Sequence, residues 1–338
     1  MLTSELDYEL PEALVAQKPA EPRDSSRLMV VDVSEGSISH HIFAELPRFL
    51  RPADALVLNE TKVLPARIVV HKPSGGEVEL LFLRDIGGCW EVLARPSRRL
   101  RAGLVLSAGG EELRVLESLG GGHWVVEGPN VRAMLERVGR MPLPPYIEPT
   151  ADAERAYQTI YARNPGSAAA PTAGFHFTER VLAGAERAGA VIAGLTLHVG
   201  AGTFAPIRAS NLEEHRMHAE YYSVPDHTAL AVKNAGRVVA AGTTVARALE
   251  TWATTGESEG SSRLFIYAEY EWRAVDALLT NFHLPRSTLL AMVMSFGGKG
   301  LVREAYRVAV EERYRFYSFG DAMLLIGGGR NLWTPRSP

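Results

Sequence analysis

The feature of this sequence that most constrains its fold is a change of pattern between about residues 68 and 128. Short β-type runs such as EVELLFLR, CWEVLAR and HWVVEG follow one another there. Glycine pairs such as Gly75-Gly76 and Gly109-Gly110 separate them. Short runs rich in β-branched and aromatic residues, broken by glycine turns, are typical of antiparallel sheets. This segment therefore predicts a small all-β barrel or sandwich.

The sequence on both sides of this segment alternates helical and strand patterns instead. TERVLAGAERAG and STLLAMVMSFGG predict helices, with Thr178 and either Ser287 or Thr288 suited to cap them. VIAGLTLHVG and SRLFIYAEY predict strands, and ALVLNETKVLPARI resembles this later part more than the β segment. We expect an α/β (α+β) protein with a main α/β domain at 1–67 and 150–326. An all-β barrel domain is inserted at 68–149, and 327–338 is a loose tail.

Composition bounds the class of protein. The 338 residues, 46% hydrophobic and 22% charged, are typical of a globular protein with two domains. The lone Cys89 excludes an intramolecular disulfide and an all-cysteine metal site, which fits the cytoplasm. No signal peptide or membrane span is indicated. A net charge of -3 means that any nucleic-acid contact needs a local basic cluster, such as Arg98 and Arg99 in ARPSRRLRAG. The alternative for that cluster is a solvated loop.

Two glycine-rich stretches are suited to a ligand. GSAAAPTAGFHF sets His176 between two phenylalanines, and its small residues permit close approach to a flat adenine or a ribose. The alternative is a tight loop with a hydrogen-bonded core histidine. In LHVGAGTFAP, Gly200 and Gly202 match a dinucleotide fingerprint, but Pro206 argues against the helix that such a site requires. A glycine turn exposing His198 and Thr203 to a cleft is the other interpretation.

Two further stretches carry histidines. HRMHAE places His215, His218 and Glu220 at a spacing that could hold zinc or iron, although the glutamate base of a HExxH hydrolase is missing. Substrate hydrogen bonding or surface placement is the alternative. LLTNFHLPRSTLL sets Asn281, His283 and Arg286 before a helix start, where an anion would be favoured. A plain loop with a capping serine explains it equally well.

Polar residues also stand at the ends of two N-terminal strands. Arg23 and Arg27 precede one strand, and Asn59, Thr61, Lys62 and Arg67 surround another. Such residues often line clefts, but internal salt bridges explain them nearly as well.

Taken together, these stretches resemble one family. YQTIYARNPGSAAAPTAGFHFT, LTLHVGAGTFAPI, HRMHAE, LLTNFHLPRSTLL and RFYSFGDAMLL are similar to signature segments of the S-adenosylmethionine:tRNA ribosyltransferase-isomerases of queuosine biosynthesis. PRDSSRLMV and LVLNETKVLPARI are similar as well, so the resemblance runs from about Tyr8 to Ile326. Three departures are visible: IYAEYEW replaces a segment that usually contains Pro-Gly, Phe175 stands where leucine is common, and AMVMSFGG is varied. The first puts a turn at 267–270 in doubt.

The resemblance implies a transferase-isomerase that moves the ribosyl part of S-adenosylmethionine onto 7-aminomethyl-7-deazaguanine at the wobble position of a tRNA with a GUN anticodon. Epoxyqueuosine forms, and adenine and methionine are released. S-adenosylmethionine is consumed as a substrate, and no cofactor or metal is expected. We expect no membrane partner and favour a monomer, although no pattern in the sequence encodes the oligomeric state.

The same resemblance suggests residue roles. Proton transfer is expected from at least one of four histidines: His176, His198, His218 and His283. Substrate contacts are expected from Asn59, Thr61, Thr172, Gly174, Gly200, Gly202, Thr203, Asn281 and Arg286, the last through the methionine carboxylate. Contacts to tRNA phosphates are expected from Arg23, Arg27, Lys62, Arg67, Arg98 and Arg99.

Three other functions stay open at this point. One is a metal-dependent hydrolase built on His215, His218 and Glu220. Another is a non-catalytic tRNA-binding module that uses the basic loop. The third is a conventional methyltransferase.

Overall fold

A nine-stranded mixed sheet and a closed six-stranded barrel form the framework of the protein, as seen in a computed structural model that describes residues 1–200 and 206–331. Strands and helices are numbered along the chain. The strands of the large sheet, in spatial order, are β15 (Glu259–Ser262), β13 (Glu220–Ser223), β12 (Val191–Leu197), β3 (Asp54–Asn59), β14 (Arg237–Ala241), β17 (Ala277–Asn281), β18 (Ala322–Ile326), β1 (Arg27–Asp32) and β2 (Ser37–Ile42). The four strands β12, β3, β14 and β17 are parallel, so their carboxyl ends meet at one edge.

Helices cover both faces of this sheet. The α-helices are α1 (Val131–Val138), α2 (Ala151–Ala156), α3 (Glu179–Arg187), α4 (Asp226–Asn234), α5 (Thr243–Thr255), α6 (Thr288–Gly297) and α7 (Lys299–Glu311). Side chains that alternate along the strands enter two separate cores, as Val57 and Leu58 illustrate on β3. The predicted caps are confirmed, because Thr178 accepts from the Val181 amide at 3.3 Å and Ser287 accepts from the Leu290 amide at 3.1 Å.

The β-rich segment forms the barrel. Its strands are β5 (Arg67–His71), β6 (Glu77–Asp85), β7 (Cys89–Arg95), β8 (Val105–Ala108), β9 (Glu111–Gly120) and β10 (His123–Glu127). They close antiparallel in the order β10-β7-β6-β5-β8-β9 around an apolar interior that includes Val70, Val92 and Val126. The α/β class with an inserted barrel is therefore confirmed.

Two small strand pairs complete the described backbone. β4 (Thr61–Val63) pairs with β11 (Asn164–Ser167), and β16 (Ala274–Val275) pairs with β19 (Arg330–Asn331). Of this second pair, β19 lies within the expected tail at 327–338, of which residues 332–338 are outside the described part. The division at 67/68 and 149/150 stays a prediction, since Leu143 and Ile147 pack with Val63 and Tyr157.

The segment SRLFIYAEY is not a strand, and this prediction is wrong. β15 ends at Ser262, whose main-chain oxygen accepts from Arg247 Nη2 at 2.9 Å. The following side chains Leu264 and Phe265 pack on the large core without a strand partner for their backbone. At the departure from the family pattern the chain still bends, with Ala268 at φ 49°, a left-handed conformation that glycine adopts more easily. Among the described residues, no helix is long and apolar enough to cross a membrane.

Candidate functional site

The carboxyl edge of the parallel strands carries a continuous cleft. β14 leads through Gly242 into α5, and β17 ends at Asn281 shortly before α6. Three adjoining recesses open here and share lining residues: Thr243, Thr244 and Leu289 join the first to the second, and Thr172, Asn281 and His283 join the second to the third. In open α/β sheets this edge is the usual place for a ligand.

Asn281 is held in place by a buried network. Its Nδ2 donates to His176 Nε2 at 3.0 Å and to the Tyr317 main-chain oxygen at 3.2 Å. Its Oδ1 accepts from Thr172 Oγ1 at 3.2 Å. The predicted residues Thr172, Asn281 and His176 are therefore neighbours, and Asn281 and Thr172 both line the cleft.

His176 lies behind this network rather than in the cleft. Its Nδ1 bonds Ser26 Oγ at 2.7 Å, its Nε2 accepts from Asn281, and its ring stacks on Phe43 at 5.0 Å. Burial lowers its pKa to about 4, so the ring is neutral near pH 7. With both ring nitrogens already bonded, His176 matches the alternative of a hydrogen-bonded core histidine. These bonds hold Asn281 in place, and the expected role of His176 in proton transfer stays a prediction.

His283 lines the cleft itself. Its Nε2 bonds Thr280 Oγ1 at 2.6 Å, which fixes the ring, and its main-chain oxygen accepts from the Tyr8 hydroxyl at 2.5 Å. Burial lowers the pKa of His283 to about 3. A neutral imidazole at a ligand cleft can accept a proton.

A second group of predicted residues surrounds His198, which precedes Val199 of the second recess. His198 Nδ1 bonds Thr61 Oγ1 at 2.8 Å, and its ring stacks on Tyr221 at 5.6 Å. Burial is the main reason for the lowered pKa of His198. Gly166 leaves room for this ring, because a Cβ there would approach His198 Nε2 to 2.6 Å.

Asn59 and Gly174 do not line the three recesses, although Asn59 Nδ2 donates at 3.2 Å to Oγ1 of Thr244, which does. Asn59 is fully buried; its Oδ1 accepts from the Leu197 amide at 3.0 Å, and its Nδ2 donates to the Leu197 main-chain oxygen at 3.0 Å. A Cβ at Gly174 would come within 2.2 Å of the Tyr161 hydroxyl, so glycine is required for packing. Both residues were expected to touch substrate, and their contacts show why each is needed by the fold itself. Gly202 and Thr203, two other expected contacts, lie outside the described residues.

Glu220 is used in a buried ion pair. Its Oε2 accepts from Arg247 Nη1 at 2.5 Å, and its Oε1 accepts from the Gly200 amide at 2.7 Å. His218 is exposed, and its main-chain oxygen accepts from Arg247 Nη2 at 3.0 Å. Within the described residues no group of three His, Cys, Asp or Glu side chains could hold a metal ion. The arrangement therefore gives no support to a hydrolase built on His215, His218 and Glu220.

Arg286 is paired at the surface. Its Nε donates to Asp7 Oδ2 at 2.9 Å, and its Nη2 bonds the same oxygen. A substrate carboxylate would have to replace Asp7 at this guanidinium.

Three of the expected tRNA contacts are used inside the protein. Arg23 donates to the main-chain oxygens of Gln158 and Ala156, both at 2.8 Å. Arg27 donates to Asp321 and to the Glu312 oxygen and lies 3.8 Å from the Tyr314 ring centroid. Arg67 donates to Glu79 and to the Leu143 main-chain oxygen, each at 3.3 Å.

The other expected tRNA contacts are on the surface. Arg98 and Arg99 are exposed on a short 3₁₀ turn of the barrel, with Arg95 and Arg101 exposed beside them, and Lys62 is exposed on β4. We call Arg95, Arg98, Arg99 and Arg101 the barrel arginine cluster.

Sequence reasoning missed several residues that line the cleft. Thr243 and Thr244 follow a strand and open α5, and Tyr146 and Tyr317 line the recess beside Asn281. The strand-to-helix pattern VVAAGTTVARALE could have indicated the threonines. The tyrosines come from a proline-rich connector and a loop after α7, and no spacing rule joins two such distant segments.

Known proteins are similar to this chain over nearly its whole length. The family model described as queuosine biosynthesis protein matches residues 3–325. An S-adenosylmethionine:tRNA ribosyltransferase-isomerase from Rubrobacter xylanophilus is 72% identical over 98% of this chain and 100% of its own length. One from Moorella thermoacetica is 51% identical over 96% and 100%.

A solved structure agrees with the sequence matches. The crystal structure of S-adenosylmethionine tRNA ribosyltransferase from Thermotoga maritima is 37% identical, covers 96% of this chain and 100% of its own, and superposes with a TM-score of 0.56. The resemblance read from the sequence is thus confirmed, and this enzyme belongs to the S-adenosylmethionine:tRNA ribosyltransferase-isomerase family of queuosine biosynthesis proteins.

Proposed function

We propose that this enzyme transfers and isomerises the ribosyl part of S-adenosylmethionine onto 7-aminomethyl-7-deazaguanine at the wobble position of tRNA. The products are epoxyqueuosine-tRNA, adenine and methionine, so S-adenosylmethionine is a substrate. One observation supports placing this reaction in the cleft. Thr172, Asn281 and His283 line the same recess at the carboxyl edge of the sheet.

The reaction needs a base and an acid. The sulfonium makes the neighbouring C5′ proton acidic, and the departing adenine must gain a proton on nitrogen. We assign the base to His283, because it lines the same recess as Thr172 and Asn281. Thr280 Oγ1 also lies 3.4 Å from the Asn281 main-chain oxygen, to which it can donate. That arrangement favours Nε2 of His283 as the donor to Thr280 and leaves Nδ1 with a lone pair.

His198 is the second histidine that we assign to proton transfer, as the acid or its relay. The Thr61 hydroxyl orients its ring, and partial burial leaves the ring closer to solvent than that of His283. Thr172 and Asn281 are assigned to ribose hydroxyls or a purine edge, because each offers a hydrogen-bonding group in the recess. Gly200 is assigned to the wall of the first recess, because its amide donates to Glu220, which lines that recess. Arg286 would bind the methionine carboxylate in place of Asp7.

We assign the tRNA contact to Lys62 and to the barrel arginine cluster, in particular Arg98 and Arg99. These side chains are exposed and can neutralise phosphates, whereas Arg23, Arg27 and Arg67 cannot leave their internal partners without cost. The acceptor is a tRNA with a GUN anticodon, and the enzyme acts as a monomer in the cytoplasm.

One assay tests the function. The purified enzyme is incubated with S-adenosylmethionine and with tRNA carrying the aminomethyl base, and the products are followed by mass spectrometry. Stoichiometric adenine, methionine and epoxyqueuosine are expected. Formation of S-adenosylhomocysteine and methylated tRNA would instead indicate a methyltransferase. Release of neither adenine nor methionine would contradict the proposal.

A further inference from the structure

The recess beside Asn281 has an aromatic wall that the assignments above leave unused. Tyr317 and Tyr146 both line it, with ring centroids 4.8 Å apart and an interplanar angle of 53°. The Tyr146 hydroxyl lies 2.8 Å from Ser318 Oγ, which holds this ring against the loop that carries Tyr317. The two tyrosines are far apart in sequence: Tyr146 belongs to the connector after the barrel, and Tyr317 belongs to the loop after α7. The recess therefore lies where these two segments meet.

The backbone of Tyr317 is held in a conformation that favours glycine. Its φ is 70°, and a residue with a Cβ stays in this region only when its surroundings fix it. Three bonds do so here. The Tyr317 amide donates to the Phe282 main-chain oxygen at 3.0 Å, and the Tyr317 main-chain oxygen accepts from Asn281 Nδ2 at 3.2 Å and from the Gly320 amide at 3.0 Å. The chain therefore keeps an aromatic side chain at a position where glycine would be less strained.

Polar groups line the same recess as Tyr317. Asn281, which bonds the Tyr317 backbone, also binds Thr172, and His283 lines the same recess. A flat aromatic face bordered by an amide, a hydroxyl and an imidazole matches what a nucleobase requires: stacking on its face and hydrogen bonds at its edge. Burial raises the pKa of Tyr317 to about 12, so its ring is uncharged at neutral pH.

We propose that Tyr317, with Tyr146 packed on it, is the stacking surface for the purine-type ring of a substrate. This inference rests on the proposed function, since both of its substrates carry such a ring: the adenine of the donor and the 7-deazaguanine of the tRNA. Thr172 and Asn281 then read the edge of the ring that Tyr317 stacks on. Stacking of one base on an aromatic side chain corresponds to a roughly 5-fold to 150-fold change in affinity.

Three variants of Tyr317 test the proposal: Tyr317→Phe, Tyr317→Leu and Tyr317→Gly. The phenylalanine variant keeps the aromatic face and is expected to hold both KM values within about 3-fold. The leucine and glycine variants remove the face and are expected to raise KM for one substrate roughly 10-fold or more, with a smaller change in kcat. The glycine variant also relieves the left-handed backbone, so thermal unfolding should show that it folds. A raised KM for S-adenosylmethionine identifies adenine as the stacked ring, and a raised KM for tRNA identifies the 7-deazaguanine.

Two outcomes would overturn the stacking surface. One is an unchanged KM for both substrates in the folded leucine and glycine variants. The other is a fall in kcat alone that phenylalanine fails to rescue, which indicates a structural role. A wild-type enzyme without turnover contradicts the proposed function instead. The stacking surface is then judged from the Kd of S-adenosylmethionine and of tRNA for wild type and Tyr317→Leu.

Discussion

The carboxyl edge of the large sheet and the inserted barrel are built in opposite ways. At the sheet edge, polar side chains such as Asn59, Thr61 and Asn281 are almost completely buried and bonded to one another or to the backbone. In the barrel, the interior is apolar, and Arg98 and Arg99 stand in solvent. We infer from this difference that the two regions are suited to the two kinds of substrate in the proposed reaction. A small molecule needs groups at fixed positions, and a large polyanion needs positive charge that can adapt.

The energetic consequences of the two designs differ as well. Removing one partner of a buried hydrogen bond leaves the other unsatisfied, at about 1–3 kcal/mol. An exposed charge contributes little to folding, so it can be changed with small effect on stability. Substitutions at the sheet edge should therefore alter turnover or stability, whereas substitutions in the barrel arginine cluster should alter tRNA binding alone.

The largest effect is expected from a matched pair of histidine variants at the sheet edge. His283→Gln removes the group assigned as base, so kcat should fall by about 10²–10⁴-fold. His176→Gln keeps an amide oxygen that can accept from Asn281 Nδ2, so a positioning residue should lose much less. Steady-state kinetics with S-adenosylmethionine and tRNA measure both.

tRNA affinity, measured by filter binding, is the control for this pair and should stay near the wild-type value in both variants. Equal losses of kcat would mean that His176 and His283 cannot be separated into a positioning and a catalytic role. An active His283→Gln variant would remove His283 as the base and leave His198 as the remaining choice.

The pH dependence of stability gives the next largest effect. Burial lowers the folded-state pKa of His176 to about 4 and of His283 to about 3, below the ordinary value of 6.5. Between pH 4 and 6.5 the unfolded chain therefore binds more protons than the folded one, so stability rises with pH and is lost on acidification. Each histidine contributes a slope of up to about 1.4 kcal/mol per pH unit, reached only where the unfolded form is protonated and the folded form is not.

Denaturant unfolding of wild type and His176→Gln at several pH values between 4.5 and 6 checks this slope. The variant should lose roughly 1 kcal/mol per pH unit less on acidification, because the proton difference between the unfolded and folded chains is below one over this range. Above pH 7.5 the wild-type His176 is neutral in both the folded and the unfolded chain, so the difference between the free energies of unfolding of the two proteins should become constant. Parallel lines throughout the acidic range would show that burial of His176 does not make the sheet edge acid-sensitive.

The barrel was the easier region to predict from sequence. Its strands are short, regular and separated by glycines, so local pattern indicated a small all-β barrel or sandwich. SRLFIYAEY shows where local pattern fails. Its β-type residues Leu264 and Phe265 pack on the core, but Arg247 takes the Ser262 oxygen and the segment stays irregular.

The site was only partly predictable because its contacts are long-range. Histidines 176 and 283 look alike in sequence, since each stands beside a phenylalanine in a motif. Their difference depends on Ser26 and Thr280, which bond one ring nitrogen each, and on Asn281, which occupies the second nitrogen of His176. Likewise, Arg23 and Arg98 are both basic residues near a strand, and only the fold places Gln158 and Ala156 around the first.

The smallest effect is expected in the barrel, from the double variant Arg98→Glu/Arg99→Glu. Both side chains are exposed, so the free energy of unfolding should change by less than about 0.5 kcal/mol. KM for tRNA should rise roughly 10-fold, about 1.4 kcal/mol, while kcat and KM for S-adenosylmethionine stay unchanged. The dependence of log KM for tRNA on log salt concentration should become shallower by about 1 to 2.

A control with the same change of charge separates a local contact from the net charge. Arg48 and Arg155 are exposed on the main part of the molecule, where each pairs with an acid near it in sequence, Glu45 or Asp152. Arg48→Glu/Arg155→Glu should alter KM for tRNA and its salt dependence less than the barrel variant does. If the two double variants behave alike, the barrel arginine cluster holds no specific phosphate contact. The effect of the barrel arginines on tRNA binding would then come from the long-range electrostatic field of the whole protein, and the barrel would not differ from the sheet edge in this respect.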